Sequence, residues 1–220
     1  MHKKRLLIIL LTTLVSTFLM GSVPAGGFAQ IKPDPPLPIR AVIVNNETKE
    51  SHKLPIVMDS IKALGQNRFA AQYSVKIPEV ILRGGHYVPY PDYDPTYSAK
   101  IVIWVNYFFS YIRGVPYMKV YLYDGQWIRL DPSVRCTKLT VTARVYGELL
   151  STGRQISGSP SYTRYNPKNG ALYRIIPRWS GEFVQINDGY YQGGFTLVTL
   201  KRGTSTWTGS VSVFNPGGPY

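Results

Sequence analysis

The chain has 220 residues, with 25 Lys and Arg against 12 Asp and Glu, and a formal net charge of +13. Its single cysteine, Cys136, excludes an intrachain disulfide, so the fold must be stabilised by core packing. The length suits one all-β domain or two small ones, and no Walker loop, dinucleotide fingerprint or zinc-ligand spacing is present.

Residues 1–29 have the layout of a secretory signal peptide. A basic start at residues 2–5 precedes an apolar core at residues 6–23 and a short run of small residues. We expect cleavage after Ala29 or Ala25 and therefore a secreted or extracellular protein. The alternative is an uncleaved membrane anchor, because the apolar run approaches spanning length.

The positive charge indicates the chemistry of the partner. Removal of Lys3, Lys4 and Arg5 with the signal would lower the net charge from +13 to +10. A basic exported protein is attracted to anionic surroundings, so the expected partner is an anionic cell-wall polymer, a polysaccharide or a membrane surface. The alternative is that the charge serves solubility alone, because the cations are scattered. No specific nucleic-acid motif is present, and no cofactor is expected.

The beginning of the mature chain contains few regular elements. Residues 30–40 form a proline-rich leader, which is extended or disordered because Pro fixes φ and supplies no N–H. Residues 58–65 form the one plausible helical turn, ended by Gly65. Residues 69–77 and 80–82 are predicted strands on either side of Pro78.

Residues 84–96 form a long loop that carries one group of candidate site residues, His86, Tyr90, Asp92 and Asp94. An imidazole can act as a general base or metal ligand, and alternate carboxylates can bind a hard cation. The alternative is a proline-stiffened surface loop with Asp at turn positions. Because no ligand spacing matches a metal motif, we expect no metal.

Residues 97–146 form the centre of the predicted fold, as consecutive antiparallel strands. Residues 117–123 alternate with a period of two, which is typical of a half-buried strand. Asp124 and Gly125 then predict a type I′ turn, because Gly adopts positive φ without steric cost.

A second group of candidate site residues lies on this hairpin. Tyr117, Lys119, Tyr121 and Tyr123 are predicted to share one strand face, with Trp127 across the turn. Aromatic rings beside cations on an open sheet face can stack on sugars or bases, or lie at a lipid headgroup boundary. The alternative is that this face packs inside the protein.

The remaining strands complete an all-β protein. Residues 138–146 alternate strictly, residues 151–170 are predicted to be a long connection, and residues 215–220 a flexible tail. Further strands are predicted at residues 171–176, 182–186, 195–200 and 207–214. About nine to eleven short strands with at most one short helix predict an antiparallel two-sheet sandwich, immunoglobulin-like or jelly-roll-like, in a single domain at residues 41–214.

The expected function is binding rather than catalysis, at a cell surface or cell envelope. No nucleophile elbow is present, and residues 30–220 contain only two histidines, His52 and His86. The first alternative is a membrane-active, pore-forming β protein, indicated by the aromatic residues and positive charge. The second is a hydrolase with a carboxylate pair, because twelve acids leave that chemistry open.

Overall fold

Two antiparallel sheets pack face to face and form the domain, which confirms the predicted two-sheet sandwich. The computed structural model describes residues 39–65, 67–84, 97–186 and 189–214. The predicted signal peptide, most of the leader, and the tail lie outside the described residues.

The first sheet has seven strands in the order β2-β1-β13-β12-β7-β8, with β9 also paired to β7. The first and last described strands of the chain, β1 and β13, are neighbours in this sheet and pair along the whole length of β1. The strands are β1 (Ile39–Asn45), β2 (Ser51–Lys53), β7 (Val134–Glu148), β8 (Gln155–Gly158), β9 (Ser161–Tyr165), β12 (Tyr191–Arg202) and β13 (Ser205–Phe214). β1 thus includes the last two residues of the predicted leader.

The second sheet has six strands in the order β10-β6-β5-β4-β3, with β11 also paired to β6. Four consecutive strands form an antiparallel meander, and two short strands from later in the chain cover the free edge of β6. The strands are β3 (Val57–Gly65), β4 (Arg68–Pro78), β5 (Tyr97–Ile112), β6 (Val115–Arg129), β10 (Tyr173–Ile175) and β11 (Val184–Gln185).

The core lies between the sheets and contains the alternate residues of their inner faces. On β7 the predicted alternation is confirmed, because Leu139, Val141, Ala143 and Val145 are all buried. Aliphatic side chains dominate the core, and their burial is the main source of stability in a chain without a disulfide. The other core side chains come from every long strand and include Ile43, Tyr73, Ile77, Ile101, Ile103, Val120, Trp127, Leu200, Trp207 and Val211.

The hairpin turn lies at Arg113 and Gly114, and the prediction of a turn at Asp124 and Gly125 is wrong. Arg113 and Gly114 both have positive φ, 52° and 79°, and Ile112 pairs with Val115 across them. This is the two-residue geometry that fits the twist of a hairpin. β6 continues through Gly125, which pairs with Ile103 on β5 and also with β10.

Gly125 is required for close packing of the sheets rather than for a turn. A Cβ atom at this position would lie 2.5 Å from Cγ2 of Val141 and 2.6 Å from Oγ1 of Thr196, both on the opposite sheet. Local sequence cannot distinguish this use of glycine from a turn, because both depend on the absence of a side chain.

A β-bulge divides β6 into two parts with opposite alternation. Asn106 pairs with Leu122 and Tyr107 pairs with Val120, so Tyr121 is the extra residue on β6. A single inserted residue moves every following side chain to the other face. Tyr123 is therefore buried, and the prediction that it shares a face with Lys119 is wrong.

Residues 58–65 belong to strand β3, and the prediction of a helical turn there is wrong. Pairing with β4 outweighs the local helical signals, and the side chain of Asp59 reinforces it. Asp59 accepts hydrogen bonds of 2.9 Å from Gln72 and from Ser74 on β4, and its carboxylate lies 3.2 Å from Lys100 on β5. Tertiary contacts commonly override intrinsic propensity in this way.

The helix of the described residues is α1 (Glu79–Leu82), a single turn where a strand over residues 80–82 was predicted. It buries Ile81 and Leu82 at one end of the core. None of the described residues forms a helix with the length and apolarity needed to cross a membrane.

The predicted connection at residues 151–170 contains strands β8 and β9. These two strands account for part of the difference between the nine to eleven strands predicted and the larger number observed. The described residues form thirteen strands. β8 and β9 pair with consecutive parts of β7 and form one edge strand interrupted near Pro160. Their residues are mostly exposed, so the sequence shows little of the apolar alternation by which strands are recognised.

Candidate functional site

Part of the predicted binding face is present in the structure, as a cluster of cationic and aromatic side chains on the outer face of β6. Tyr117, Lys119 and Tyr121 are half-buried there. Nζ of Lys119 lies 5.5 Å from the centre of the Tyr121 ring and 4.9 Å from that of Phe183, and Cζ of Arg68 lies 5.2 Å from the Tyr121 ring. We call Arg68, Lys119, Tyr121 and Phe183 the cation–aromatic cluster.

The ring faces of this cluster are already in contact with cations of the same chain. Cation–π contacts fix the positions of both partners. Phe108 closes the cluster, with edge-to-face contacts at 6.2 Å to both Tyr121 and Phe183. The arrangement presents positive charge above a rigid aromatic base, and it leaves less ring surface for stacking than the sequence predicts.

Two of the predicted binding residues lie in the core instead. Tyr123 is 0% exposed and Trp127 is 2% exposed, both after the bulge. Nε1 of Trp127 donates a hydrogen bond of 3.2 Å to the carbonyl oxygen of Pro167. Burial raises the pKa of the Tyr123 hydroxyl well above its ordinary value. Both side chains therefore contribute to packing.

The other predicted cluster, His86, Tyr90, Asp92 and Asp94, lies outside the described residues. Within the part of the chain that is described, no group of three or more His, Cys, Asp or Glu side chains is arranged to hold a metal ion.

A groove of about 580 Å³ lies beside the end of β7, between β8 and the segment that leads into β11. Val145, Leu149 and Ile156 form its apolar floor together with the ring of Trp179. An apolar floor with a few polar groups at the rim is typical of ligand sites.

Trp179 is held in the groove by a glycine and a hydrogen bond. A Cβ atom at Gly158 would lie 2.9 Å from Cζ3 of Trp179, so the indole can take this position only beside a glycine. The side-chain amide of Gln192 lies between Nε1 of Trp179, at 2.8 Å, and the carbonyl oxygen of Met118, at 3.1 Å. Both contacts become hydrogen bonds in the amide orientation whose oxygen accepts from Trp179 and whose nitrogen donates to Met118. The indole is therefore placed before any ligand binds.

Two arginines line the groove and are available to a ligand. Arg154 and Arg178 are exposed, and neither forms an ion pair with another described residue. Glu182 lies on the same rim, where Ser151 donates a hydrogen bond of 3.0 Å to its carboxylate. Guanidinium groups bind carboxylate, sulfate and phosphate through paired hydrogen bonds.

The groove and the cation–aromatic cluster border each other. Glu182 lines the groove, and the next residue, Phe183, lies against Lys119. The backbone of Phe183 also accepts a hydrogen bond from the N–H of Leu150, which ties this segment to the turn after β7. The groove and the cluster are therefore connected through consecutive residues of one segment.

Sequence reasoning missed Arg154, Arg178 and Trp179. Arg154 lies in the predicted connection just before β8, and Arg178 and Trp179 lie in the segment before β11. Pairing of β8 with β7 and of β11 with β6 places all three residues around one groove. The available signal was an arginine next to a tryptophan between two predicted strands, outside any alternating pattern.

A pair of carboxylates elsewhere forms an ion-pair network with arginines. Nη2 of Arg202 lies 3.0 Å from Glu79 and 3.2 Å from Asp131, and Arg83 also pairs with Glu79. A hydrogen bond from the backbone N–H of Ser133 lowers the pKa of Asp131. A general acid of a glycosidase needs the opposite shift, so Asp131 does not suit that role.

Searches against protein-family models, curated proteins and solved structures find no match to this chain.

Proposed function

We propose that this is a secreted, non-catalytic binding protein of a cell surface or cell envelope, and that the groove takes an anionic, carbohydrate-like ligand. The observation that carries the proposal is the pair of exposed arginines, Arg154 and Arg178, beside the fixed indole of Trp179. A ring of an acidic sugar can pack on an indole while its anionic group binds guanidinium.

The charge of the chain supports an anionic ligand. The formal net charge is +13, or +10 without residues 1–29, and charge of one sign raises the local concentration and association rate of an oppositely charged partner. Lys119 and Arg68 in the adjacent cation–aromatic cluster extend the positive surface beyond the groove. A polymer with repeated negative charges would contact both features at once.

The composition of the groove supports binding rather than hydrolysis. Among the described residues, Glu182 is the only carboxylate that lines the groove. Hydrolysis of a glycosidic bond ordinarily uses two carboxylates on either side of it. The proposed role is therefore retention of a ligand, and the predicted signal peptide supports a location outside the cell.

The direct test is an array of acidic glycans and cell-wall polymers, probed with the protein from Gln30 onward. We expect Arg154→Ser and Arg178→Ser each to weaken binding about ten-fold, because a hydrogen bond to a charged group contributes roughly 1.5–3 kcal/mol. The matched control is Arg164→Ser, which removes an exposed arginine from β9. Equal losses in all three variants would contradict a specific site.

The salt dependence separates the charged and aromatic contributions. The Debye length falls from roughly 10 Å at 0.1 M salt to 3 Å at 1 M, so the arginine contribution should weaken across that range. Stacking on Trp179 should leave a salt-resistant remainder, which Trp179→Ala removes and Trp179→Phe retains. Lys119→Glu should weaken binding of long polymers but not of a short ligand confined to the groove.

A further inference from the structure

The β5–β6 hairpin extends beyond its neighbour on one side and carries exposed apolar residues at its tip. The last pair between β4 and β5 is Arg68 with Phe108, whereas the β5–β6 ladder continues to Ile112 and Val115. The tip therefore lacks a β4 partner, while on the other side the backbone of Ile186 still bonds to Pro116.

Apolar side chains occupy both faces of this tip. Tyr111 is 61% exposed and packs edge-to-face on Phe109 at 5.3 Å, and it pairs with Pro116. Ile112 and Val115 are half-exposed on the opposite face. A strand end that is exposed to solvent on both faces is normally polar, so the apolar side chains at this tip need an explanation.

Two exposed leucines add to the apolar surface near this tip. Leu64 is 47% exposed at the end of β3, and the neighbouring β4 begins opposite Phe108 on β5. Leu150 is 40% exposed in the turn after β7, where its backbone N–H donates a hydrogen bond to the carbonyl oxygen of Phe183. Both leucines lie on elements near the hairpin and can contribute to contact with an interface.

Positive charge surrounds this tip. Arg113 is exposed at the turn itself, and Arg68 and Lys119 lie further along the outer face of the same sheet. Among the described residues, the carboxylate of Glu182 lines the groove rather than the tip. Tyrosine beside cations is the composition of membrane-interface anchors, in which the ring lies at the headgroup level and the cation meets phosphate.

We propose that the β5–β6 hairpin tip docks on the headgroup region of an anionic lipid bilayer, with Tyr111, Ile112 and Val115 at the interface and Arg113 on lipid phosphate. This goes beyond the proposed function, because none of these residues lines the groove. The two-residue turn makes the tip rigid, so docking requires little ordering of the chain.

The test is co-sedimentation with vesicles of phosphatidylcholine alone and of phosphatidylcholine mixed with phosphatidylglycerol, at low salt. We expect binding to the mixed vesicles. Arg113→Asn should weaken it about five-fold, since a cation near an anionic surface contributes about 1 kcal/mol. Asparagine accepts positive φ, so this variant keeps the turn. Tyr111→Ser should weaken binding, whereas Tyr165→Ser, at a 68% exposed tyrosine on β9, should not.

A second measurement reports the position of the tip directly. The chain already contains four tryptophans, so the signal is the difference between the Tyr111→Trp variant and the wild type. This difference emission should shift to shorter wavelength on binding and should be quenched by brominated lipid. Arg178→Ser should bind vesicles like the wild type, and the tip variants should bind glycans like the wild type, so the two proposals fail separately. Absence of binding to anionic vesicles, or binding by both tip variants as strong as that of the wild type, would overturn the docking proposal.

Discussion

Tyr123 combines complete burial with an unsatisfied hydroxyl. Its oxygen has no hydrogen-bond partner among the described residues. A buried polar group without a partner costs roughly 1–3 kcal/mol. We therefore expect Tyr123→Phe to raise the free energy of unfolding by about 1 kcal/mol in urea denaturation, and to leave ligand binding unchanged.

The control for Tyr123 is Tyr173, whose hydroxyl accepts a hydrogen bond of 2.8 Å from the backbone N–H of Lys168. Tyr173→Phe should lower the free energy of unfolding, because it removes a satisfied acceptor. Equal destabilisation by both substitutions would show that the Tyr123 hydroxyl has a partner after all.

Cys136 should be unreactive in the folded protein. Burial raises the pKa of its thiol to about 12, and Sγ donates a hydrogen bond of 3.1 Å to the carbonyl oxygen of Lys138. Only the thiolate reacts, so a chromogenic disulfide reagent near pH 8 should label the protein only after unfolding. Rapid labelling of the native protein would contradict this burial.

At the scale of elements, two glycines on β6 and its turn serve different purposes, and substitution can separate them. Gly114 has a φ of 79°, so Gly114→Ala should cost about 1–2 kcal/mol of stability through backbone strain. Gly114→Asn should recover much of that loss, because asparagine tolerates positive φ. Thermal unfolding of the three proteins provides the comparison.

Gly125→Ala should destabilise by overpacking, at a cost of about 1–3 kcal/mol. The added methyl would meet Cγ2 of Val141 at 2.5 Å. A second substitution, Val141→Ala, removes that atom, so a double-mutant cycle should show favourable coupling between the two changes. Additive losses would place the strain elsewhere.

Asp59 should make β3 sensitive to acid. Burial raises the pKa of Asp59, but the hydrogen bond from Ser74 and the contact with Lys100 outweigh it, so the pKa lies below its ordinary 3.8. A depressed folded pKa contributes stability above the unfolded pKa that is lost as pH falls through the folded value. Asp59→Asn should therefore lower the melting temperature at neutral pH, and the difference should shrink below about pH 4. A difference that is independent of pH would contradict this role.

The elements that sequence predicts well are those whose side-chain pattern matches their burial. Strand β7 is one, because its apolar residues from Leu139 to Val145 alternate and are all buried. The bulge at Tyr121 cannot be read from β6, because an inserted residue leaves a pattern that looks regular on either side. Arg154 and Trp179 meet only through pairing of distant strands, so no local signal marks the groove.

At the scale of the whole molecule, export remains a prediction with a simple measurement. The basic start and apolar core of residues 1–29 lead us to expect a mature chain that begins at Gln30 or Gly26. N-terminal sequencing or intact mass of protein recovered outside the cell tests this. Full-length protein recovered in the membrane would show an anchor instead.

Because β1 pairs with β13, the larger sheet cannot be completed before the last described strand is available. Ile39 faces Val213 and Asn45 faces Trp207, so the first described strand is held by the last. Contacts between residues so far apart in sequence form late, because closing a long loop costs entropy before any contact repays it. During synthesis from the N-terminus, β1 and the short β2 beside it have no sheet to join until β13 emerges. Under the export that we propose, the chain would complete its larger sheet only after β13 had also crossed the membrane.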